Sequence, residues 1–256
     1  MNVGRGCVAS DVFLESCARK GVEICFVGEC WVAMSGNGTQ SHPDYVMLGS
    51  ASRGPKVVVF VTRDMVDGVN LVAATARAVV VEVGGCRMAR VYGKCGVGVH
   101  AMRDWLCTLE GWIGGGDWVL LRDWNAHHHT WSLHAKSGPG GRVLVDWVLE
   151  HGVEVHFGEG GTFELRRGGV VQSRIDLAIT SPESSWADED SDGLLSDHST
   201  IGGSLMVGDV ARTDRREVVE WNRLTATLED EDQGWYNDLA RETPYDKLLD
   251  LRRRHL

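Results

Sequence analysis

The strongest constraint on the fold is a series of short apolar runs, rich in β-branched residues and separated by glycines. The clearest run, Val57-Val58-Val59-Phe60-Val61, is apolar at every position, as expected for a strand covered on both faces. Runs of this length, bounded by turn-forming residues, predict strands. We predict strands at residues 22–27, 56–61, 78–83, 87–92, 117–121, 153–157, 174–180 and 199–207.

Three segments have the apolar spacing of amphipathic helices. The first begins at an N-cap, Ser10, and stops at Gly21; the second covers 97–110; the third covers 139–150, with Pro139 at its start and Gly152 just past its end. Strands outnumber helices, and most successive strands are too close in sequence for a crossover helix. We therefore predict an α/β sandwich of mixed or antiparallel sheets with the helices outside.

Composition excludes several classes of protein. The chain has 256 residues, of which 43% are hydrophobic, enough for a sizeable core and too many for a disordered chain. The net charge of −10 argues against coating nucleic acid by charge alone, although not against cutting it locally. We find no signal-peptide layout and no run as long as a membrane helix, and the seven cysteines form no CxxC pair. We predict a soluble, intracellular protein without a membrane partner, with nucleus and cytoplasm left open.

The composition changes near Gly208. From there to the last residue, 21 of 49 residues are charged, against 41 of 207 before it. The apolar residues Val218, Trp221, Leu224 and Leu228 have the spacing of one helical stripe. We predict one domain at residues 1–207, followed by a charged linker and helical appendage at 208–256.

Acidic residues recur where predicted strands begin or end. Asp123 and Asn125 follow the apolar run Val119-Leu120-Leu121, Asp176 begins another run, and Asp197 precedes His198. Phosphodiester hydrolysis needs hard oxygen ligands for a divalent metal and a group that deprotonates water. Carboxylates at several strand ends, with an imidazole, suit this chemistry.

These motifs resemble the endonuclease/exonuclease/phosphatase superfamily, which has the DNase-I-like fold, and in particular the endonuclease domain of non-LTR retrotransposons. The resemblance implies a four-layer α/β sandwich in which two mixed or antiparallel sheets pack together. Six ordered elements carry it: Asn2 to Gly6, Val27-Gly28-Glu29, Asp123-Trp124-Asn125-Ala126-His127-His128 with Trp131, Gly141 to Val148, Ser173 to Leu177, and Ser196-Asp197-His198.

The resemblance also implies a role for each matching residue. Glu29, Asn2 and Asp197 would hold Mg²⁺ or Mn²⁺. Asp123 would orient or deprotonate the water, or protonate the leaving oxygen; Asn125 would donate to a phosphate oxygen. His198 would contact the scissile phosphate, with Asp176 fixing its tautomer and Tyr92 near the phosphate. His127, Trp131 and Ser173 are expected on the substrate side. The implied partner is DNA, and the reverse transcriptase that usually follows such a domain is not in this chain.

Three features depart from the family pattern. Arg122 stands where a small glycine normally precedes the catalytic Asp, and Gly93-Lys94-Cys95 replaces a proline-bearing turn after Tyr92. Asn2 lies one residue from the start, so we expect a shortened first strand. Two alternatives to a DNA-nicking endonuclease therefore stay open: a superfamily phosphatase acting on a small phosphorylated substrate, and a retroelement fragment that has lost activity.

Overall fold

The computed structural model describes residues 2–4, 6–31, 41–50, 54–93, 98–132, 136–157, 161–165, 171–184, 186–189, 198–208 and 210. These residues form three α-helices and thirteen strands. In chain order they are α1 (Cys7–Lys20), β1 (Ile24–Gly28), β2 (Tyr45–Gly49), β3 (Val57–Thr62), β4 (Val69–Thr75), β5 (Ala78–Val83), β6 (Cys86–Val91), α2 (Val99–Ile113), β7 (Trp118–Asp123), α3 (Pro139–His151), β8 (Glu154–His156), β9 (Phe163–Leu165), β10 (Val171–Ser173), β11 (Asp176–Thr180), β12 (Trp186–Glu189) and β13 (Gly202–Leu205).

The strands form two main sheets. The first is antiparallel with the order β1-β3-β2, and the second has six strands in the order β4-β5-β6-β7-β11-β8. In the second sheet β6 and β7 are parallel, because the chain crosses between them through α2, and every other pair is antiparallel. The sheet is therefore mixed, as the sequence predicts. Two short hairpins, β9-β10 and β12-β13, complete the sheet structure.

The elements stack in four layers. Helix α1 packs Phe13, Leu14 and Cys17 on the outer face of the first sheet, and α2 and α3 cover the outer face of the second sheet. The inner faces of the sheets meet through β1 with β6 and β3 with β5. Because side chains alternate along a strand, β3 buries Val58 and Phe60 toward α1 and its other valines toward the second sheet. The predicted four-layer α/β sandwich is confirmed.

Several element boundaries differ from the predictions. Helix α1 begins at Cys7 after Gly6, and Ser10 lies inside it, where its hydroxyl donates to the Gly6 carbonyl at 2.9 Å; Ser10 is therefore not the N-cap. The prediction missed β2, β4, β9, β10 and β12, which are short or have mixed polarity. The predicted strand at 199–207 is shorter, at Gly202–Leu205. The predicted C-terminal helical stripe lies outside the described residues, and the domain boundary stays a prediction.

Candidate active site

Asp123 and Asp176 lie side by side on neighbouring strands of the second sheet. Asp123 is the last residue of β7, Asp176 is the first of β11, and the antiparallel register pairs the two directly. His198 reaches the same place through an isolated β-bridge with Phe163, whose ring lies 5.0 Å from the imidazole. Residues far apart in the chain therefore meet where two strands end.

His198 contacts both carboxylates. Its Nδ1 lies 2.8 Å from Asp176 Oδ2, in a hydrogen bond, and its Nε2 lies 3.8 Å from Asp123 Oδ2. All three side chains are largely buried. A carboxylate that accepts from one ring nitrogen fixes the tautomer and orientation of the imidazole. The other nitrogen is left facing Asp123.

The electrostatic environment of Asp123 favours proton transfer. Burial, reinforced by the neighbouring Asp176 carboxylate, raises the pKa of Asp123 to about 6, against the opposing effects of His198, the Asn125 N–H and Arg90. A carboxyl group with a pKa near neutral can both accept and return a proton under physiological conditions. Perturbed acids of this kind concentrate at catalytic sites.

A tight turn after Asp123 brings Asn125 back toward the site. The Trp124 N–H donates to the Ile175 carbonyl at 2.7 Å, and the Asn125 N–H donates to Asp123 Oδ1 at 3.1 Å. Asn125 has a φ of 45°, in the left-handed region that asparagine tolerates better than most residues. The Asn125 backbone is thereby tied to the Asp123 carboxylate by a short loop.

Glu29 lies at the end of β1 on the neighbouring sheet. Its φ of 48° is also left-handed, a conformation that is costly for glutamate and that tends to persist at functional sites. Its N–H donates to the Lys56 carbonyl at 2.7 Å, and its Oε1 accepts a 2.8 Å hydrogen bond from the Tyr92 hydroxyl. Asn2 is buried and forms a parallel bridge with Gly28. Its Oδ1 accepts a hydrogen bond from the Gly4 N–H at 3.1 Å. Glu29 and Tyr92 therefore form a second pair of polar side chains, with the Asn2 backbone next to β1.

Tyr92 connects the two groups. It directly follows β6, whose parallel register pairs Arg90 with Leu121 on β7. Continuing this register by two residues places Tyr92 next to Asp123. The carboxyl ends of β1, β6 and β7 and the start of β11 therefore lie along one edge.

Two residues of this edge were not anticipated from the sequence. The hydroxyl of Thr162 accepts hydrogen bonds from the Ile175 and Asp176 N–H groups, both at 3.0 Å. Arg90 is buried on the same face of the second sheet as the two carboxylates. Burial lowers the pKa of its guanidinium, while Asp176 and Asp123 raise it. The signal available for Arg90 was an arginine within a largely apolar predicted strand. Thr162 offered no signal in the sequence, because its role comes from a long-range backbone contact.

The other residues predicted for the site lie on the surface, in the interior or outside the described residues. His127 is exposed beside the Asn125 turn. Trp131 was predicted on the substrate side, but it is 1% exposed and donates its indole N–H to the Ala126 carbonyl at 2.9 Å. It therefore packs under the loop and offers no face on which a base could stack. Ser173 is buried, and its carbonyl accepts from the Thr162 N–H. Asp197 lies outside the described residues.

Arg122 points away from the carboxylates. It alternates with Asp123 on β7 and is buried on the helix side, with its guanidinium carbon 4.8 Å from the Trp105 ring centroid and 4.9 Å from that of Trp124. Burial lowers the pKa of Arg122 to about 10. The departure from the family glycine is thus accommodated in the core, where Gly93 leaves room for the guanidinium.

The donor groups at this edge suit a hard divalent cation. Glu29 and Asn2 offer carboxylate and amide oxygens, the ligands that Mg²⁺ and Mn²⁺ prefer. Among the described residues, Asp123, Asp176 and His198 also bring three ligand atoms within 4.8 Å of one another. One Asp176 oxygen in that trio is already engaged by His198. The oxygen donors therefore fit a divalent metal, and the imidazole fits proton transfer or phosphate contact.

Comparison with known proteins agrees with this fold. A family model described as endonuclease-reverse transcriptase matches residues 87–202, the segment that contains Tyr92, Asp123, Asp176 and His198. The endonuclease domain of TRAS1, a telomere-specific non-LTR retrotransposon, superposes with a TM-score of 0.66 at 19% identity, covering 82% of this chain and 97% of that one. The chain has the DNase-I-like fold.

Other structures with this DNase-I-like fold are similar at the same level. The 3′ phosphatase NExo from Neisseria, bound to a product DNA hairpin, has a TM-score of 0.60 at 18% identity, covering 80% of this chain and 97% of that one. The 3′-5′ exonuclease NExo from Neisseria meningitidis has a TM-score of 0.58 at 19% identity, with the same coverage. Comparison with curated protein sequences gives no match. In the described part of the chain, no helix has the length and apolar character needed to cross a membrane.

Proposed function

We propose that this chain is a divalent-metal-dependent phosphodiester hydrolase that nicks DNA, as a retrotransposon-type endonuclease does. The observation that carries the proposal is the hydrogen-bonded His198–Asp176 pair, with Nε2 of His198 3.8 Å from an Asp123 carboxyl whose pKa is raised to about 6. The match to the endonuclease-reverse transcriptase family supports an endonuclease, as does the similarity to the TRAS1 endonuclease domain.

The chain's own residues divide the reaction between them. In hydrolysis a P–O bond to the water oxygen forms and the P–O bond to the leaving oxygen breaks. Asp123 is the group that would take the proton from water or return one to the leaving oxygen. Asn125 and His198 would donate hydrogen bonds to the phosphate oxygens, where negative charge develops. Asp176 would hold the imidazole in position.

The metal would be held on the Glu29 side of the edge. Glu29 and Asn2 would be ligands, and Asp197 stays a predicted one. A bound Mg²⁺ or Mn²⁺ would polarise the phosphate and neutralise charge on it. The Tyr92 hydroxyl, 2.8 Å from Glu29 Oε1, would orient that carboxylate.

The test is plasmid nicking. With supercoiled plasmid and Mg²⁺ the protein should produce open circles, and EDTA, Asp123→Ala or His198→Ala should abolish them. Asp146→Ala is the matched control, because Asp146 is an exposed acid on α3. Intact supercoils with folded wild-type protein would refute the proposal and favour an inactive retroelement fragment.

A second candidate is a phosphatase. One structural neighbour is a 3′ phosphatase bound to product DNA, and the net charge of −10 mildly favours a small substrate. Release of inorganic phosphate from a 3′-phosphorylated oligonucleotide, or from a small phosphate ester, without plasmid nicking would reverse the ranking.

A further inference from the structure

Arg90 is a buried cation between the two sheets. It lies on β6, and its neighbours Ala89 and Val91 pack toward the helices, so its side chain points toward the first sheet. Only 7% of it is exposed. A Cβ placed on Gly28 would lie 2.6 Å from Nη2 and 3.1 Å from Nε of Arg90. The guanidinium therefore lies against the backbone of β1, next to Glu29, in space that only glycine leaves.

The register of the second sheet places Arg90 on the same face as the two carboxylates. Arg90 pairs with Leu121, and Asp123, two residues further along β7, pairs with Asp176. Asp176 and Asp123, in that order, favour the charged form of Arg90, and Arg90 in turn favours ionised Asp123. Arginine keeps its proton in proteins, so it is a permanent charge. A cavity of about 860 Å³ between the sheets is lined by both Arg90 and Asp176. Charges removed from water are tolerated only when opposite charges balance them.

We propose that Arg90 is a positioning residue that acts as the fixed counter-charge of the Asp123–Asp176 pair, in place of additional metal. Without Arg90, two directly paired carboxylates would lie together with less positive charge on their face of the sheet. They would then attract a divalent ion or share a proton, and Asp123 would lose its part in proton transfer. The catalytic consequence of this inference rests on the proposed metal-dependent hydrolase. The electrostatic interaction between Arg90 and the two carboxylates does not depend on that function.

The first test measures Mn²⁺ binding by the full chain in the absence of DNA. Arg90→Met removes the charge, and we expect it to tighten Mn²⁺ binding about tenfold, since a nearby like charge no longer opposes the ion. Arg90→Lys keeps the charge and should stay near wild type. Arg87→Met is the matched control, because Arg87 is on the opposite face of the same strand, where it pairs with Glu82 at 3.0 Å and donates to carbonyls at the end of α2.

Gly28→Ala provides a second route to the same effect. Its new Cβ would displace the guanidinium without removing its charge, so we expect a smaller change in the same direction. In the Arg90→Met background it should change Mn²⁺ binding no further, because nothing remains to displace. In DNA nicking, Arg90→Met should lower kcat and leave KM nearly unchanged, since a residue this buried cannot contact DNA.

A double-mutant cycle decides the inference even if the proposed function fails. Arg90→Met should lower the folding equilibrium constant about tenfold in the wild type and much less in Asp176→Asn. Additive effects in this cycle would overturn the proposal. It would also be overturned if the wild type binds Mn²⁺ and the Mn²⁺ affinity of Arg90→Met lies within about twofold of the wild-type value. If the wild type neither binds Mn²⁺ nor nicks DNA, but the double-mutant cycle still shows coupling between Arg90 and Asp176, the proposed hydrolase is refuted and the counter-charge role of Arg90 stands.

Discussion

The hydroxyl of Thr162 accepts a 3.0 Å hydrogen bond from the backbone N–H of Asp176. The Thr162 carbonyl also accepts from the Ser199 N–H at 2.8 Å, next to His198. One buried residue is therefore bonded to the backbone at Asp176 and to the residue after His198. These hydrogen bonds hold the two backbone segments from which Asp176 and His198 reach each other.

The first prediction follows from this tie. Thr162→Val keeps the shape and removes the acceptor, which leaves two buried N–H groups unpaired at a cost of about 1–3 kcal/mol each. We expect nicking activity to fall at least about tenfold. Thr162→Ser retains the hydroxyl and should keep most of the activity; equal losses in both variants would mean that the methyl group, not the hydrogen bond, matters.

The raised pKa of Asp123 predicts a pH-dependent stability. It is about 6 in the folded state, against 3.8 ordinarily. When the pH lies between these two pKa values, the folded state binds more protons than the unfolded state. The free energy of unfolding therefore falls as the pH rises through this window, and the lost stability is not regained at higher pH. In metal-free buffer, Asp123→Asn should therefore be about 2–3 kcal/mol more stable than wild type at about pH 8.

Denaturant titration at two pH values checks this. The advantage of Asp123→Asn should disappear below about pH 4, where Asp123 is protonated in both states. Asp146→Asn, at an exposed position on α3, should match wild type throughout. An advantage that does not change with pH would show that charge is not its cause.

Tyr92→Phe tests the orientation of Glu29. The variant removes the donor of the 2.8 Å hydrogen bond to Glu29 Oε1. Partners of this kind typically contribute about 10-fold to metal affinity, and we expect Mn²⁺ binding to weaken by that factor with the fold retained. Tyr45→Phe is the control, because the Tyr45 hydroxyl bonds to the Val22 carbonyl in the α1 core. Unchanged Mn²⁺ binding by Tyr92→Phe would contradict a metal on Glu29.

Arg122 is expected to cost stability. Its Nε and Nη1 are buried without a hydrogen-bond partner among the described residues. A buried donor without a hydrogen-bond partner costs about 1–3 kcal/mol, and an apolar side chain of similar size removes that cost. Arg122→Met should therefore raise the free energy of unfolding and preserve activity, because Arg122 points toward the helices. Arg142→Met, at an exposed position on α3, should do neither. A destabilised Arg122→Met would mean that the contacts of the guanidinium with the Trp105 and Trp124 rings outweigh its missing hydrogen bonds.

Two glycines in helices should respond oppositely to alanine. A Cβ on Gly141 of α3 would collide with the His127 carbonyl, whereas a Cβ on Gly111 of α2 would meet no atom within 4 Å. We expect Gly141→Ala to destabilise by about 2–3 kcal/mol and to impair nicking through the loop that carries Asn125. Gly111→Ala should stabilise by about 0.5–1 kcal/mol. Thermal unfolding of both variants separates helix propensity from this close contact.

Sequence patterns predicted the elements that bury a continuous apolar face. The strand at Ala78–Val83 and the helix from Pro139 agree with the structure within one residue, because their periodicity and end signals point the same way. Strands β2 and β4 were missed because their residues are only partly buried. Their pairing comes from neighbours in space, which a local pattern does not record.

The sequence by itself determined which groups this protein has for chemistry: acids at strand ends, an Asp-His pair late in the chain and a glutamate after an early strand. Only the tertiary structure decided their relations. It paired Asp123 with Asp176, buried Arg90 on the same face of the sheet and buried Trp131. Residue type and spacing fix what a side chain can do within one strand. Burial, counter-charge and hydrogen bonding depend on which distant strands pack against it, and packing is a property of the whole sandwich.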